Sequence, residues 1–202
     1  MSFINPPVKM PWLLRFVIWA AEKKLKKKLL PARLLTWYPK AAFSSGILEA
    51  LVAHKDKNLS ARLLKLVRMQ TSFVVSCPFC IDMNSFEYAQ YGITDEELKA
   101  LQGNFDPCTV PTFSREECTA VAYARAVSST PIALNSLLVN RMLRLFSARE
   151  IVIIATTAAQ VNYWARLVQA LGIPPAGFLE SCPLIDLEKY RTLKDPGQSI
   201  SS

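Results

Sequence analysis

Ser76-Cys77-Pro78-Phe79-Cys80-Ile81-Asp82-Met83-Asn84 reads as the start of a helix. Ser76 or Cys77 stands at the cap, and Pro78 suits the first turn, where a missing N–H costs nothing. At 3.6 residues per turn, Cys77 and Cys80 lie about 60° apart and share a face. Two thiols so placed can close into a disulfide with little backbone movement. Unpaired amides and the positive end of the helix dipole also favour a thiolate there. Asn84 and Glu87 continue the same face, whereas Asp82 lies about 200° from Cys80.

Outward from this stretch, every clear signal is helical. Pro11 opens a helix with Leu14, Ile18, Ala21, Leu25 and Leu29 at three- and four-residue steps, and Pro31 ends it. A second helix is predicted over Ala41 to His54, with Phe43, Ile47 and Leu51 on one stripe. Ser60 caps a third, running toward Val74. The helix that begins at the dithiol extends to Gly92, placed for a left-handed cap. Capping boxes open three more: Thr94 to Glu97, Ser114 to Glu117 and Ser147 to Glu150. Phe113 and Cys118 are spaced as a hydrophobic staple. The last helix stops before Gly172. Ala61–Ile93 and Ala148–Ile173 both read as capped helical stretches ending in Gly-Ile, a weak match for an internal repeat. No alternating run argues for a sheet, so the fold class is all-α.

The chain has 202 residues, is 51% hydrophobic and carries a formal charge of +8, which suits one ordinary domain. Residues 1–70 hold 14 Lys or Arg against 3 Asp or Glu. The basic excess therefore belongs to the N-terminal third, around Lys23, Lys24, Lys26, Lys27 and Lys28. A solvated helix face accounts for it, and no nucleic-acid motif accompanies it. The domain organisation read from these patterns is residues 1–40 as an amphipathic helix and connector packed on the domain, 41–192 as the all-α domain, and 193–202 as a disordered tail. Trp12 and Trp19 beside the lysines would also suit a membrane surface, although a docked helix is the favoured reading.

Five cysteines in a chain this long do not make a secreted disulfide framework. Cys108, Cys118 and Cys182 are expected as single, small, buried hydrophobes. His54 is the only histidine, so no zinc-ligand set exists and no metal is expected. The apolar stretch at Met10–Ala21 is too short for a membrane span, and Ile151–Ala170 carries polar interruptions. The protein is expected in the cytoplasm.

The segments Leu66-Val67-Arg68-Met69-Gln70, Ser76 through Asn84, Tyr91-Gly92-Ile93 and Asn162-Tyr163-Trp164-Ala165-Arg166 resemble the carboxymuconolactone decarboxylase family, and more narrowly the AhpD-like alkylhydroperoxidases. The resemblance implies an all-α fold, a homo-oligomer (dimer, trimer or hexamer) and reduction of hydroperoxides through a dithiol/disulfide cycle. In that scheme Cys80 attacks the peroxide and Cys77 resolves the sulfenic acid. No cofactor is bound, and an external dithiol of lipoyl or thioredoxin type, carried by a reductant protein, restores the pair.

The chain departs from this family at its proton relay. The usual histidine four residues after the second cysteine is Asn84, and the usual glutamate twelve before the first is Lys65. Asn84 can orient a thiolate or substrate but cannot take a proton near neutrality. Lys65 could act by charge and Glu87 as a substitute base; both also fit a solvated helix surface. The alternative function is a non-catalytic redox-sensing or binding module of the same fold.

Overall fold

The computed structural model describes residues 2–52, 54–179 and 185–187. Among them the chain is all helical, with nine α-helices and two 3₁₀ turns and no strand. The helices are α1 (Trp12–Leu25), α2 (Leu30–Leu35), α3 (Pro39–Leu51), α4 (Ala61–Val74), α5 (Pro78–Ser85), α6 (Asp95–Leu101), α7 (Arg115–Ser128), α8 (Ser136–Leu145) and α9 (Ala148–Ala170). The predicted 193–202 tail and Cys182 lie outside the described residues.

α4 is the central helix, packed by α5, α7 and α9. From Leu63 to Phe73 it is buried at every position except Lys65. One side, with Leu66, Met69 and Phe73, meets Ile81, Leu98, Leu101 and Val121. Another, with Leu63, Leu64 and Val67, meets Ala120, Ala124, Met142, Ile154 and Ala158. Each such aliphatic side chain, once buried, contributes about 1.5–3 kcal/mol. α9 is long and apolar enough to cross a membrane by composition. Its Ile154, Ala158, Val161, Ala165 and Val168 are spent instead on the core.

Cap chemistry sets the boundaries. Ser60 accepts from the Leu63 amide, and all three predicted capping boxes form, at Thr94/Glu97, Ser114/Glu117 and Ser147/Glu150. Glu97 is fully buried and ion-paired to Arg62 at 2.6 Å, and Arg62 also reaches Glu117 at 2.7 Å. This tie joins the starts of α4, α6 and α7. Gly172, at φ +61°, lies where an added Cβ would meet the Phe3 ring at 2.6 Å; it ends α9 and admits the N-terminal segment.

The sequence misjudged four local features. Pro31 does not end the first helix; α1 stops at left-handed Lys26, and Pro31 sits in the first turn of α2. The dithiol helix ends at Ser85, because Phe86 is extended and Glu87 left-handed at φ 55°, and Gly92 caps a separate 3₁₀ turn. α8, capped by Asn135, went unread. The stripe on α3 does not face inward: Phe43 and Ile47 are 48% and 58% exposed. The two Gly-Ile stretches differ inside, the first being broken into α4, α5 and a 3₁₀ turn and the second forming one helix.

Candidate active site

The link from α4 to α5 is only Val75 to Cys77. Ser76 takes a left-handed conformation at φ 48°, and the Cys77 amide bonds back to the Ser72 carbonyl at 3.3 Å. That tight reversal leaves Cys77, rather than Ser76, as the cap of α5. Its sulfur accepts the Cys80 amide at 3.2 Å, the role a Ser or Asp oxygen ordinarily fills. Both cysteines are free thiols, at 0% and 3% exposure.

The pair sits in an apolar cluster with Leu34 of α2 and Val161, Ala165 and Val168 of α9, and Trp164 and Met83 pack against it. The hydrogen bond to Cys77 and then burial push the Cys80 thiol well above its ordinary range. The expected helix-start field therefore does not act on both sulfurs alike. Cys77 takes the cap position and accepts hydrogen bonds, while Cys80, one turn inside, holds its proton toward Cys77.

The other predicted residues divide into two groups. Asn84 stays on the Cys80 face but donates to the Ser72 hydroxyl at 3.0 Å, and that hydroxyl donates to the Arg68 carbonyl at 2.8 Å. Lys65 donates to the Phe86 carbonyl at 2.7 Å and lies 4.9 Å from the Tyr91 ring centre. Burial and the nearby Arg68 push its ammonium down to about 8, against the opposing field of Glu87. Glu87 is exposed and off the helix. Lys65 and Glu87 thus face each other at the far end of α5, away from the cluster that holds the sulfurs.

Several residues escaped the sequence reading. The Asp82 carboxylate is fully buried and accepts the amides of Ala176, Gly177 and Leu179, each at 2.8 Å, which pins the segment after α9 beside the dithiol cluster. The Trp164 indole donates to Glu49 at 3.0 Å, and Gln160 donates to the same oxygen. Glu49 in turn acts electrostatically on buried Arg68. No short-range spacing links α3 to α9, so this cluster had no signal in the sequence. No group of His, Cys, Asp and Glu able to hold a metal exists among the described residues.

Cys108 and Cys118 are not single buried hydrophobes. They form a disulfide with Cα atoms 5.4 Å apart, Cys108 exposed and Cys118 half-buried. The Asp106 carboxylate accepts the Cys108 amide and folds the 3₁₀ turn Pro107–Thr109, bringing one sulfur to the other. Cys118 is thereby engaged in a covalent bridge.

No family model matches the chain. It is 28% identical over 176 residues to the uncharacterized protein YnjA of Escherichia coli (strain K12), covering 85% of this chain and 93% of that one. Its structure is similar to that of the debrominase Bmp8 in complex with 2,3,4-tribromopyrrole, with a TM-score of 0.75 at 17% identity, over 95% of this chain and 100% of the other. It is also similar to an AhpD-core, uncharacterized peroxidase-related protein from Ralstonia eutropha JMP134, with a TM-score of 0.72 at 16% identity, over 88% and 95% of the two chains. A dithiol at the start of a short helix, inside a bundle of this shape, leads to one structural conclusion: the chain has the all-helical fold of the AhpD-like proteins.

Proposed function

We propose that the protein is a thiol–disulfide oxidoreductase that reduces hydroperoxides with the Cys77–Cys80 dithiol. The observation that carries this reading is the cap geometry, in which the Cys77 sulfur accepts the Cys80 amide at 3.2 Å and the two thiols share a buried apolar cluster. The pair supplies its own base in place of the missing relay. As a monoanion it keeps one proton between the sulfurs. Cys77 takes that proton as the Cys80 sulfur attacks the terminal peroxide oxygen. The O–O bond breaks, Cys80 becomes a sulfenic acid, and the departing alkoxide takes the proton back from Cys77. Cys77 then attacks the sulfenic sulfur, a disulfide forms, and the departing hydroxide takes a proton from solvent to leave as water. An external dithiol of lipoyl or thioredoxin type returns two electrons. Asn84 orients the peroxide beside Cys80; Lys65 and Glu87 support the far end of α5 without touching sulfur.

Stopped-flow oxidation by an alkyl hydroperoxide tests this reading. The expected result is a rate about tenfold or more above that of free cysteine, abolished by Cys80→Ser and halted at the sulfenic acid by Cys77→Ser. A rate no faster than free cysteine with the fold intact overturns it.

A second reading is favoured by the lining. The cluster around the dithiol is apolar and partly aromatic, with Phe79 and Trp164 packed in it, and the similar Bmp8 is a debrominase solved with a halogenated ring. The same dithiol could reduce a carbon–bromine bond, giving R–H, bromide and the disulfide. Bromide release from a brominated pyrrole, absent with hydroperoxide turnover, would favour it.

A further inference from the structure

The second sulfur pair plays no part in the cycle just described. Cys108 is exposed, while Cys118 lies four positions into α7, where its amide bonds to the Ser114 carbonyl at 2.9 Å. Their bridge lines a surface groove of ≈ 430 Å³ together with Phe105, Pro107, Val121, Arg125 and Asp106, whose carboxylate is engaged by the Cys108 amide. The Arg125 guanidinium makes no hydrogen bond or ion pair among the described residues. Val121, on the groove floor, packs inward with Met69 and Ile81. The core therefore separates this bridge from the Cys77–Cys80 pair, and the two cannot exchange directly.

Thiol–disulfide exchange needs an open sulfur to attack, a leaving sulfur whose thiolate is stabilised, and a field that draws in the attacking anion. Cys108 provides the first. Cys118 provides the second, in the opening turns of a 14-residue helix whose amides favour negative charge. Arg125 provides the third. A bridge serving only as a staple needs neither the groove nor the unengaged guanidinium.

We infer that Cys108–Cys118 is a thiol–disulfide exchange site for a small thiol bearing an acidic group. The thiolate of that reductant attacks the Cys108 sulfur. A mixed disulfide forms as the Cys108–Cys118 bond breaks, and the electron pair leaves on Cys118, which takes a proton from water. A second reductant thiolate attacks the reductant's own sulfur in the mixed disulfide and releases Cys108 as a thiol with the oxidised reductant. Two thiols are oxidised and one disulfide is reduced. Opening the bridge frees the chain between α6 and α7 from one tie. It leaves Asp106 on the Cys108 amide at 2.9 Å and Thr112 on Glu97 at 2.7 Å, so the reduced chain stays folded.

The test treats native full-length protein, purified without reductant, with reduced glutathione and maps tagged thiols by mass spectrometry. Cys108 and Cys118 are expected to become reactive while the helical circular dichroism is unchanged, with the glutathione adduct trapped on Cys108. Cysteamine, which is cationic, should react more slowly by roughly tenfold, and Arg125→Ala should close that gap. A Cys77→Ser/Cys80→Ser chain should exchange at the wild-type rate, so this result stands apart from the fate of the peroxidase reading. The inference is overturned if the purified protein carries no bridge, if the bridge opens only in denaturant, or if the two thiols react equally fast.

Discussion

The molecule holds two sulfur pairs in opposite settings. Cys77 and Cys80 are three residues apart, reduced, and closed into an apolar cluster between α2, α5 and α9. Cys108 and Cys118 are ten apart, bonded, and open to solvent at the start of α7. The hydrogen bond to Cys77 and then burial keep the Cys80 proton in place, and the apolar packing limits access to the pair. Exposure makes the second pair answer to the thiols of its surroundings. Within one fold, the difference between a guarded dithiol and an accessible disulfide follows from which helix start each cysteine occupies and what packs over it.

The largest expected effect comes from removing the guard. Asp82→Ala leaves three amides, the buried one of Leu179 and the half-buried ones of Ala176 and Gly177, without their acceptor, which should cost about 3–5 kcal/mol. Urea denaturation measures the loss, and alkylation of Cys80 in the folded variant should approach that of an exposed thiol. If Cys80 stays as protected as before, the segment after α9 is not what shields it. Next, Asn84→His restores a titratable base one turn from Cys80 and should raise the rate of hydroperoxide reduction by on the order of 10²-fold. An unchanged rate would mean that the dithiol's shared proton already suffices.

Removing the other bridge should matter less. Cys108→Ser/Cys118→Ser should lower stability by about 2–3 kcal/mol, as expected for a loop of this length, and leave hydroperoxide turnover unchanged; coupled losses of both would contradict the separation of the two sites. The smallest effect concerns Lys65. Folding lowers its value from 10.5 to about 8, so between those values the unfolded chain binds the extra proton and stability rises with pH. After allowance for solvent screening the gain is ~1 kcal/mol, read from denaturation at pH 7.5 and pH 10.5 (two settings, roughly spanning the window). Lys65→Met should flatten that slope.

The sequence revealed what is local. Capping boxes work over three residues, so Thr94, Ser114 and Ser147 marked α6, α7 and α9 correctly. The C-x-x-C spacing placed both thiols on one helical turn for the same reason. What it concealed depends on distance along the chain. Glu49 meets Trp164 across 115 positions, and Asp82 meets the 176–179 segment across 94 to 97. No periodicity encodes either contact. The break after Ser85 was missed because Glu87 accepts a left-handed backbone that its type rarely takes, and this removed Glu87 from the face where a regular helix would have put it. The disulfide was missed because Asp106 and Pro107 fold a turn that brings two sulfurs together, whereas each sequence neighbourhood alone reads as apolar filling.

The cycling of electrons through Cys77 and Cys80 is tested most directly by adding one equivalent of alkyl hydroperoxide to the reduced protein and mapping its thiols by mass spectrometry. A new Cys77–Cys80 disulfide with stoichiometric alcohol release is the expected result. Two unreacted thiols in a folded chain, with the peroxide still present, would contradict it.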